Sequence, residues 1–338
     1  MTADPRGEGR TTVIKLSTRV AQTLRVAAIP AAGIAIITIY TMRWQTGLWL
    51  LSLYGLLATS RVIAQVALAK RCWTRMQKDR LSSMPMVSIV IAVYNEPAHV
   101  LTRTLRSLAE QSWPRYEVIV VDDGSDDPDT CRNLCAHYGY TYVYQRNAGK
   151  RHAMRRAFDL AHPDSRYILT CDSDTYWHPN AIADLVAAMQ SNPRAGAATG
   201  YVAAANPDTN ILTRLTAQRY WAAFQIERAS EGYLGVLSCV SGPLGIYRRE
   251  IIDQVKEAFV TQRFLGRECT FGDDRHLTNL VLLAGYQVVY SRAMAFTEVP
   301  TTIGKYLRQQ IRWGKSHWRE MLWTARALPK HPWYLSYQ

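Results

Sequence analysis

Short apolar runs alternate with helical stretches through residues 87–174, and this alternation limits the possible folds more than any other feature of the chain. The apolar runs are Val87–Tyr94, Tyr116–Val121, Thr141–Tyr144 and Tyr167–Cys171, and the helical stretches are Pro97–Gln111 and Gly149–Ala161. Buried strands joined by crossover helices are typical of an α/β fold with a mostly parallel sheet. Ligands of such sheets bind beyond the carboxyl ends of the strands. No GxGxxG motif follows a strand, which disfavours a nicotinamide-dependent enzyme.

Two uncharged stretches of 17 residues, Val26–Met42 and Trp44–Ser60, precede the predicted sheet and are separated only by Arg43. Each is close to the shortest length that crosses a bilayer as a helix. The alternative is a buried helical hairpin in a soluble protein, whereas two successive apolar stretches disfavour a signal peptide. Basic residues lie on the outer flank of both stretches, which predicts that both flanks are cytoplasmic. We therefore expect a multi-pass protein of the plasma membrane, with its α/β domain in the cytoplasm.

The net charge of +13 is concentrated at the two ends of the chain. Lys and Arg outnumber Asp and Glu by 12 to 3 in residues 1–80 and by 7 to 1 in residues 304–338. Because the first excess flanks the apolar stretches, it indicates a lipid bilayer as the partner and no nucleic acid. The predicted segments are a basic cytoplasmic N-terminus (1–25), two transmembrane helices (26–69), a basic linker (70–85), a cytosolic domain (86–300) and an amphipathic interface helix (301–338).

Asp172 and Asp174 flank one residue directly after the fourth apolar run. At the period of a strand both carboxylates can face one site. Carboxylates in this arrangement suit Mg²⁺ or Mn²⁺ shared with substrate phosphates. An isolated DxD is a weak signal, because Asp is also common in turns and helix caps.

Two further motifs stand where predicted elements begin or end. Asp122 and Asp123 open the sequence DDGS after the second run, where they can form a turn or accept hydrogen bonds from a base or ribose. Gly149 and Lys150 open a helix, whose free backbone amides and dipole favour an anion. Lys150 would add a point charge to a phosphate, and the alternative is a solvated basic helix start.

Asp273 and Asp274 follow Gly272 and precede the apolar helical run Leu277–Ala284. One carboxylate can cap that helix. The other can act as a general base on a hydroxyl group within hydrogen-bond reach. The sequence leaves open which of the two is the base.

The motif QxxRW, with Gln309, Arg312 and Trp313, lies in a helical stretch from Ile303 to Trp323. The predicted cationic stripe of this helix consists of Arg308, Arg312, Lys315 and Arg319. Its predicted apolar face consists of Leu307, Ile311, Trp318 and Leu322. This pattern is typical of a helix at a membrane interface. Trp313 lies outside the apolar face, where it can stack on a sugar ring while Arg312 neutralises a diphosphate.

In their order and spacing these motifs resemble the processive family-2 glycosyltransferases, the cellulose, chitin and hyaluronan synthases. The strings SGPLGIYRRE (241–250) and GDDRHLTN (272–279) are most similar to hyaluronan synthases, with chitin-oligosaccharide synthases as near neighbours. The resemblance covers about residues 20–338. It implies a nucleotide-sugar-binding, Rossmann-like domain of GT-A type, preceded by the transmembrane hairpin and followed by the interface helix.

The resemblance also implies a role for each motif position. The residues that would hold the uridine are Tyr94, Glu96, Asp123 and Lys150. Asp172 would contact the nucleotide sugar, Asp174 the metal, and Asp274 would be the catalytic base. The acceptor would lie along Ser241 and Gly242 in the segment that ends at Gly245. The residues that would cover the diphosphate and seat the terminal sugar of the acceptor are Gln309, Arg312 and Trp313.

The implied reaction is an inverting, in-line displacement at the anomeric carbon of UDP-GlcNAc and UDP-GlcA, which extends a growing β-linked polysaccharide. The alternatives are a chitin-type polymerase that uses UDP-GlcNAc alone, and a truncated protein that binds UDP-sugar without polymerising it. The family continues past the QxxRW helix into further membrane spans, whereas this sequence stops at Gln338. From these residues alone we expect binding and slow transfer, without secretion of long polymer.

Overall fold

The computed structural model describes residues 49–325, together with residues 37, 38 and 41. The predicted N-terminal segment 1–25, most of the first predicted span and the end of the predicted interface helix (326–338) lie outside the described residues. Contacts divide the chain into residues 1–63 and residues 64–338. The second of these units carries every motif described above.

The first described helix, α1, runs from Trp49 to Met76. Within the described residues, the segment Leu51–Met76 is the one helix long and apolar enough to cross a membrane. The helix continues past Ser60, where the second uncharged stretch ends, and past the predicted end of the transmembrane segment at residue 69, and it includes the basic residues Arg61 and Lys70. The two-span hairpin stays a prediction.

Eight strands form one mixed sheet in the order β3-β2-β1-β4-β7-β6-β10-β5. The strands are β1 (Val87–Val93), β2 (Tyr116–Asp122), β3 (Thr141–Tyr144), β4 (Tyr167–Asp172), β5 (Thr175–Trp177), β6 (Ala195–Ala204), β7 (Gly245–Arg248) and β10 (Gln287–Thr297). A separate two-stranded ribbon consists of β8 (Arg263–Phe264) and β9 (Arg267–Glu268). The four predicted strands β1 to β4 are confirmed and pair in parallel. Strand β7 is antiparallel to both β4 and β6, and β5 is antiparallel to β10.

Helices connect these strands and cover the sheet. The remaining helices are α2 (Ala98–Ala109), α3 (Pro128–Tyr138), α4 (Lys150–Leu160), α5 (Ala181–Ser191), α6 (Ile211–Ala222), α7 (Ala229–Leu234), α8 (Arg249–Val260), α9 (Asp273–Leu283) and α10 (Ile303–Ala325). A π-helical turn, Ala223–Arg228, joins α6 to α7. The predicted helices 97–111 and 149–161 correspond to α2 and α4.

The core of the sheet comes from the apolar runs recognised in the sequence. Ile89 and Ile91 of β1 and Leu105 of α2 are fully buried. Register pairs Ala92 of β1 with Asp172 and Val93 with Asp122. Because these strands are parallel, the two acidic motifs lie side by side at the carboxyl edge of the sheet, as predicted.

Candidate active site

Three separate motifs meet at Lys150, the first residue of α4. Its Nζ lies 2.6 Å from Asp172 Oδ1 and 3.4 Å from Asp273 Oδ2. Burial disfavours the charge of this lysine, but the neighbouring carboxylates of Asp172 and Asp273 outweigh it and raise the Lys150 pKa. The GKR, DSD and GDD motifs therefore form one ionic cluster at the carboxyl edge of the sheet.

Asp174 lies in the turn between β4 and β5, close to the carboxylate of Glu96. Burial raises the pKa of Asp174, and the negative charges of Asp172 and Glu96 raise it further. Its oxygen Oδ1 accepts a hydrogen bond of 3.2 Å from Thr175 Oγ1. Glu96 accepts a hydrogen bond of 2.7 Å from Ser173 Oγ, which holds it beside the DSD motif. These carboxylates are crowded enough that a cation would stabilise their ionised forms.

Asp273 and Asp274 begin α9, and the pKa values of the two shift in opposite directions. Burial opposes ionisation of Asp273, but the adjacent charge of Lys150 holds its pKa below the ordinary value. Burial and the charge of Asp273 raise the pKa of Asp274. Asp274 accepts hydrogen bonds from the Arg275 backbone amide (2.8 Å) and from Cys239 Sγ (3.4 Å). The cap of α9 is Gly272, so the interpretation of one Asp as a side-chain cap is wrong.

The DDGS carboxylates are already hydrogen-bonded within the protein. Asp122 accepts from the Ser125 amide at 2.9 Å and from the Tyr142 hydroxyl at 3.1 Å. Asp123 accepts from the amides of Ala148 (2.9 Å) and Gly149 (2.8 Å). The expectation of free amides before α4 is therefore wrong for these two groups, because Asp123 supplies the anion there. Both aspartates fix the loop that leads to Lys150, and a contact with uridine stays a prediction.

Tyr94 follows β1 and is 55% exposed, so its ring is accessible at the same edge of the sheet. The next residue, Asn95, has a φ of 51°. Its backbone amide donates to Ser125 Oγ at 2.9 Å, and its side chain exchanges hydrogen bonds with Asp126. Asn95 thus joins the turn after β1 to the DDGS turn after β2.

The segment from Ser241 to Gly245 runs against the acidic cluster. A Cβ atom on Gly242 would lie 3.1 Å from Asp172 Oδ1, so the backbone approaches this carboxylate closely. Arg228, at the end of the π-helical turn, donates a hydrogen bond to Ser241 Oγ. The guanidinium of Arg228 also lies 4.0 Å from the ring centre of Phe224. The structure therefore places Gly242 beside Asp172, and the role of Ser241 and Gly242 along the acceptor stays a prediction.

Gln309 and Trp313 of α10 reach the site through Tyr220 of α6. The ring centres of Trp313 and Tyr220 are 6.3 Å apart, and Gln309 lies near enough to Tyr220 to lower the pKa of its hydroxyl group. Burial raises the pKa of Tyr220 to about 12, with the charge of Asp174 contributing. The Gln309 Oε1 atom is buried and has no partner among residues 49–325. Arg312 is exposed on the same helix.

Helix α10 departs from the predicted pattern at two positions. Arg308, Arg312 and Lys315 are exposed, but Arg319 is 7% exposed and lies under the GDD turn. Trp323, near the end of the helical stretch expected at the membrane interface, packs edge-on against His276 of α9, with 4.9 Å between the ring centres. The apolar face is open, since Leu307, Ile311, Trp318 and Leu322 are all exposed.

Four side chains at the site were missed in the sequence. Tyr220 and Arg228 belong to a helical region without a motif, and the contact of Tyr220 with Trp313, more than 90 residues along the chain, leaves no local signal. Cys239 precedes the SGPLG string by two residues, but its thiol becomes notable only when the fold brings it to Asp274. Arg275, which contributes a positive charge beside Asp274, directly follows the GDD motif.

The mixed sheet, with acidic motifs and a lysine at its carboxyl edge, agrees with the predicted glycosyltransferase fold of GT-A type. Residues 88–256, half of the chain, match the sequence model of glycosyl transferase family 2. The chain belongs to this family, which confirms the predicted family and α/β fold class.

Among its relatives is the hyaluronan synthase of Streptococcus pyogenes, with 40% identity over 260 residues, 73% of this chain and 60% of the relative. Hyaluronan synthase 3 of Xenopus laevis is 33% identical over 295 residues, 76% of this chain and 53% of the relative. The chain thus spans about 60% or less of the length of these curated relatives.

A solved structure with the same fold is the mannosyltransferase PcManGT from Pyrobaculum calidifontis, in complex with GDP-Man and Mn²⁺. Its TM-score is 0.54 and its sequence identity 20%, covering 79% of this chain and 74% of that one. At this identity the likeness concerns the fold alone.

Proposed function

We propose that this chain is a membrane-bound, inverting β-glycosyltransferase that polymerises GlcNAc and GlcA from their UDP-sugars on the cytoplasmic side of a membrane. The observation that carries the proposal is the cluster of Lys150, Asp172 and Asp273 at one edge of the sheet, with Asp274 beside it. The similarity to hyaluronan synthases supports the choice of sugars.

Asp274 is the better candidate for the general base. Asp273 is held in its ionised form by Lys150, which makes it a weak proton acceptor. The pKa of Asp274 is raised, which brings it closer to the pH at which the enzyme would work, as a general base requires. In the proposed reaction the acceptor hydroxyl oxygen attacks the anomeric carbon and its proton passes to Asp274. The bond from that carbon to the diphosphate oxygen breaks, and UDP leaves with the electron pair.

The residues present fit a divalent cation. Asp174 and Asp172 are the proposed ligands, because Asp174 is crowded by carboxylates and makes a single hydrogen bond of 3.2 Å within the described residues. No group of three or more acidic, His or Cys side chains in the described part of the chain could hold a metal alone. This agrees with an ion that is shared with substrate phosphates. Bound Mg²⁺ or Mn²⁺ would neutralise charge on the departing diphosphate.

The remaining residues of the site bind and orient the substrates. Lys150 and Arg312 supply positive charge for the diphosphate. Trp313, 44% exposed and next to Tyr220, offers an aromatic face for the terminal sugar of the acceptor. Ser241 and Gly242 line the acceptor side of Asp172. Tyr94, Glu96 and the loop held by Asp123 are proposed to contact the uridine.

Sugar incorporation by membranes that contain the chain tests the proposal. Membranes receive radiolabelled UDP-GlcNAc, UDP-GlcA or both, and the product is treated with hyaluronidase or chitinase. We expect polymer only with both sugars, and we expect hyaluronidase to digest it. A chitinase-sensitive product from UDP-GlcNAc alone would assign a chitin-type polymerase, and UDP binding without transfer would leave a binding protein.

A further inference from the structure

A buried polar cluster lies on the side of α10 that faces α9. The carboxylate of Glu320, which is 1% exposed, accepts four hydrogen bonds. The donors are Gln262 Nε2 at 2.8 Å, His276 Nδ1 at 3.1 Å, Asn279 Nδ2 at 3.3 Å and Arg319 Nε at 3.3 Å. Because His276 and Asn279 belong to α9, the carboxylate ties the QxxRW helix to the helix that begins with Asp273 and Asp274.

The neighbouring Arg319 reaches the GDD turn itself. Its Nη2 donates to the carbonyl oxygen of Phe271, and its guanidinium lies 4.6 Å from the centre of the Phe271 ring. The same carbonyl accepts a bond of 3.2 Å from Arg151, the residue after Lys150. The carbonyl oxygen of Phe271, two residues before Asp273, therefore accepts hydrogen bonds from the guanidinium of Arg151 in α4 and from that of Arg319 in α10.

Gly272 shows how closely α10 approaches this turn. It has a φ of 75°, and a Cβ atom there would lie 1.9 Å from Ser316 Oγ and 2.8 Å from Arg319 Nη2. Helix α10 therefore leaves no room for a side chain at position 272. The backbone before the proposed base therefore lies directly against the side chains of Ser316 and Arg319 of α10.

Burying these charges is costly, and an apolar contact would hold two helices together equally well. Burial alone would raise the pKa of Glu320, but its hydrogen bonds with His276 and Gln262 and the charge of Arg319 hold the pKa below the ordinary value. The carboxylate is therefore ionised, and removing one of its partners would leave a buried charge unpaired. What such a network provides is a defined geometry, because each hydrogen bond is directional.

We propose that Arg319 and Glu320 are positioning residues, which hold Gln309 and Trp313 in a fixed place relative to Asp274. The proposal rests on the function proposed above. Gln309 and Trp313 lie within three turns of Glu320 on one continuous helix, about 10 to 17 Å along its axis. A tilt of α10 at the Glu320 end would therefore move Gln309 and Trp313, the proposed binding site of the acceptor sugar, relative to Asp274.

The first test is a double-mutant cycle in sugar transfer. Glu320→Gln keeps the size of the side chain and removes its charge, and we expect turnover to fall about tenfold or more, since small misplacements are costly. In the Trp313→Ala background the same change should lower turnover at most about threefold, because the Trp313 side chain that it would displace is already absent. Arg319→Lys, which keeps the positive charge, should show the same non-additivity if Glu320→Gln folds poorly.

Glu117→Gln is the matched control. The Glu117 carboxylate accepts from Ser88 Oγ at 2.5 Å and from the His162 amide at 2.6 Å, at the amino end of β2 and away from the site. Its substitution should lower the melting temperature and leave turnover within about twofold, with costs that add to those of Trp313→Ala. Additive costs for Glu320→Gln as well would reduce the cluster to a purely structural role and overturn the proposal.

Amide hydrogen exchange tests the coupling without any turnover. In Glu320→Gln, exchange in residues 270–276 and in residues 305–313 should accelerate together, by about tenfold or more, and in Glu117→Gln neither segment should change. Unchanged exchange in either segment of Glu320→Gln would refute the coupling. A wild-type chain without sugar transfer would instead refute the proposed function, while the exchange result still decides the coupling.

Discussion

The roles of the two adjacent aspartates can be separated by replacing each with asparagine. In the structure Asp273 faces Lys150, whereas Asp274 faces Cys239 and has the raised pKa. Asp274→Asn keeps the shape of the side chain but removes the proton acceptor. Loss of a general base typically costs 10²- to 10⁴-fold, so we expect turnover to fall by at least about 10²-fold. Affinity for UDP should stay near that of the wild type, because Asp274 makes no proposed contact with the nucleotide.

The assay is UDP release at saturating sugar nucleotide, with UDP affinity measured separately by calorimetry. Asp273→Asn serves as the comparison, because it removes one partner of Lys150 and should weaken UDP binding more than the chemical step. If Asp273→Asn abolishes turnover while Asp274→Asn preserves it, the assignment of the base is reversed. If both retain turnover, neither is the base.

The pH dependence of stability gives a second, independent test of the raised pKa of Asp274. Its folded pKa lies above the ordinary value of 3.8, mainly because of burial and secondly because of Asp273. A carboxyl of this kind contributes most stability when protonated, and that contribution is lost as the pH rises through its folded pKa. Asp274→Asn should therefore melt at a higher temperature than the wild type at pH 7. The advantage should disappear below about pH 4, and a lower melting temperature at pH 7 would contradict the burial argument.

Three further outcomes follow from the site. Chelation should abolish transfer, Mg²⁺ or Mn²⁺ should restore it, and Asp174→Asn should resist this rescue; full activity in excess chelator would remove Asp174 from its proposed role. Trp313→Ala should raise the acceptor KM about tenfold with UDP affinity unchanged, whereas Arg312→Ala should weaken both UDP binding and turnover; equal effects of the two would merge their roles. Gly272→Ala should destabilise the fold by about 2 to 4 kcal/mol, from positive φ plus overpacking. Gly266→Ala, at a φ of 78° with no neighbour within 4 Å, should cost only the backbone part, about 1 to 2 kcal/mol, and equal melting temperatures would disprove the packing contribution.

The sequence predicted the parallel half of the sheet because each of its strands is a continuous apolar run. It did not predict β6, whose residues Ala195–Ala204 are mostly small and lack both a branched run and alternation. Strand β7 is only four residues long and antiparallel to both of its neighbours. Tertiary packing, and not local pattern, places both strands, so the mixed character of the sheet was not predictable.

The motif residues were found in the sequence, but their partners were not. That Lys150 pairs with Asp172 and Asp273 depends on contacts across 22 and more than 100 residues of chain. A periodic stripe likewise shows which residues share a face of α10, but not what that face touches. The sequence therefore assigns Arg319 to a cationic stripe, although its guanidinium hydrogen-bonds Phe271 and Glu320.

The charge balance at the sheet edge links these features to one another. Asp172 and Asp273 pair with Lys150, and Asp174 and Glu96 add further negative charge beside Asp172. A nucleotide diphosphate adds further negative charge and would be repelled from these carboxylates. The divalent cation proposed beside Asp174 would reduce this repulsion, together with the positive charges of Lys150 and Arg312. Lys150 meanwhile keeps Asp273 ionised, and the charge of Asp273 in turn helps to keep the pKa of Asp274 high. The charge of Lys150 itself acts in the opposite sense and lowers the pKa of Asp274, so the raised pKa is the net result of burial and of the charge of Asp273.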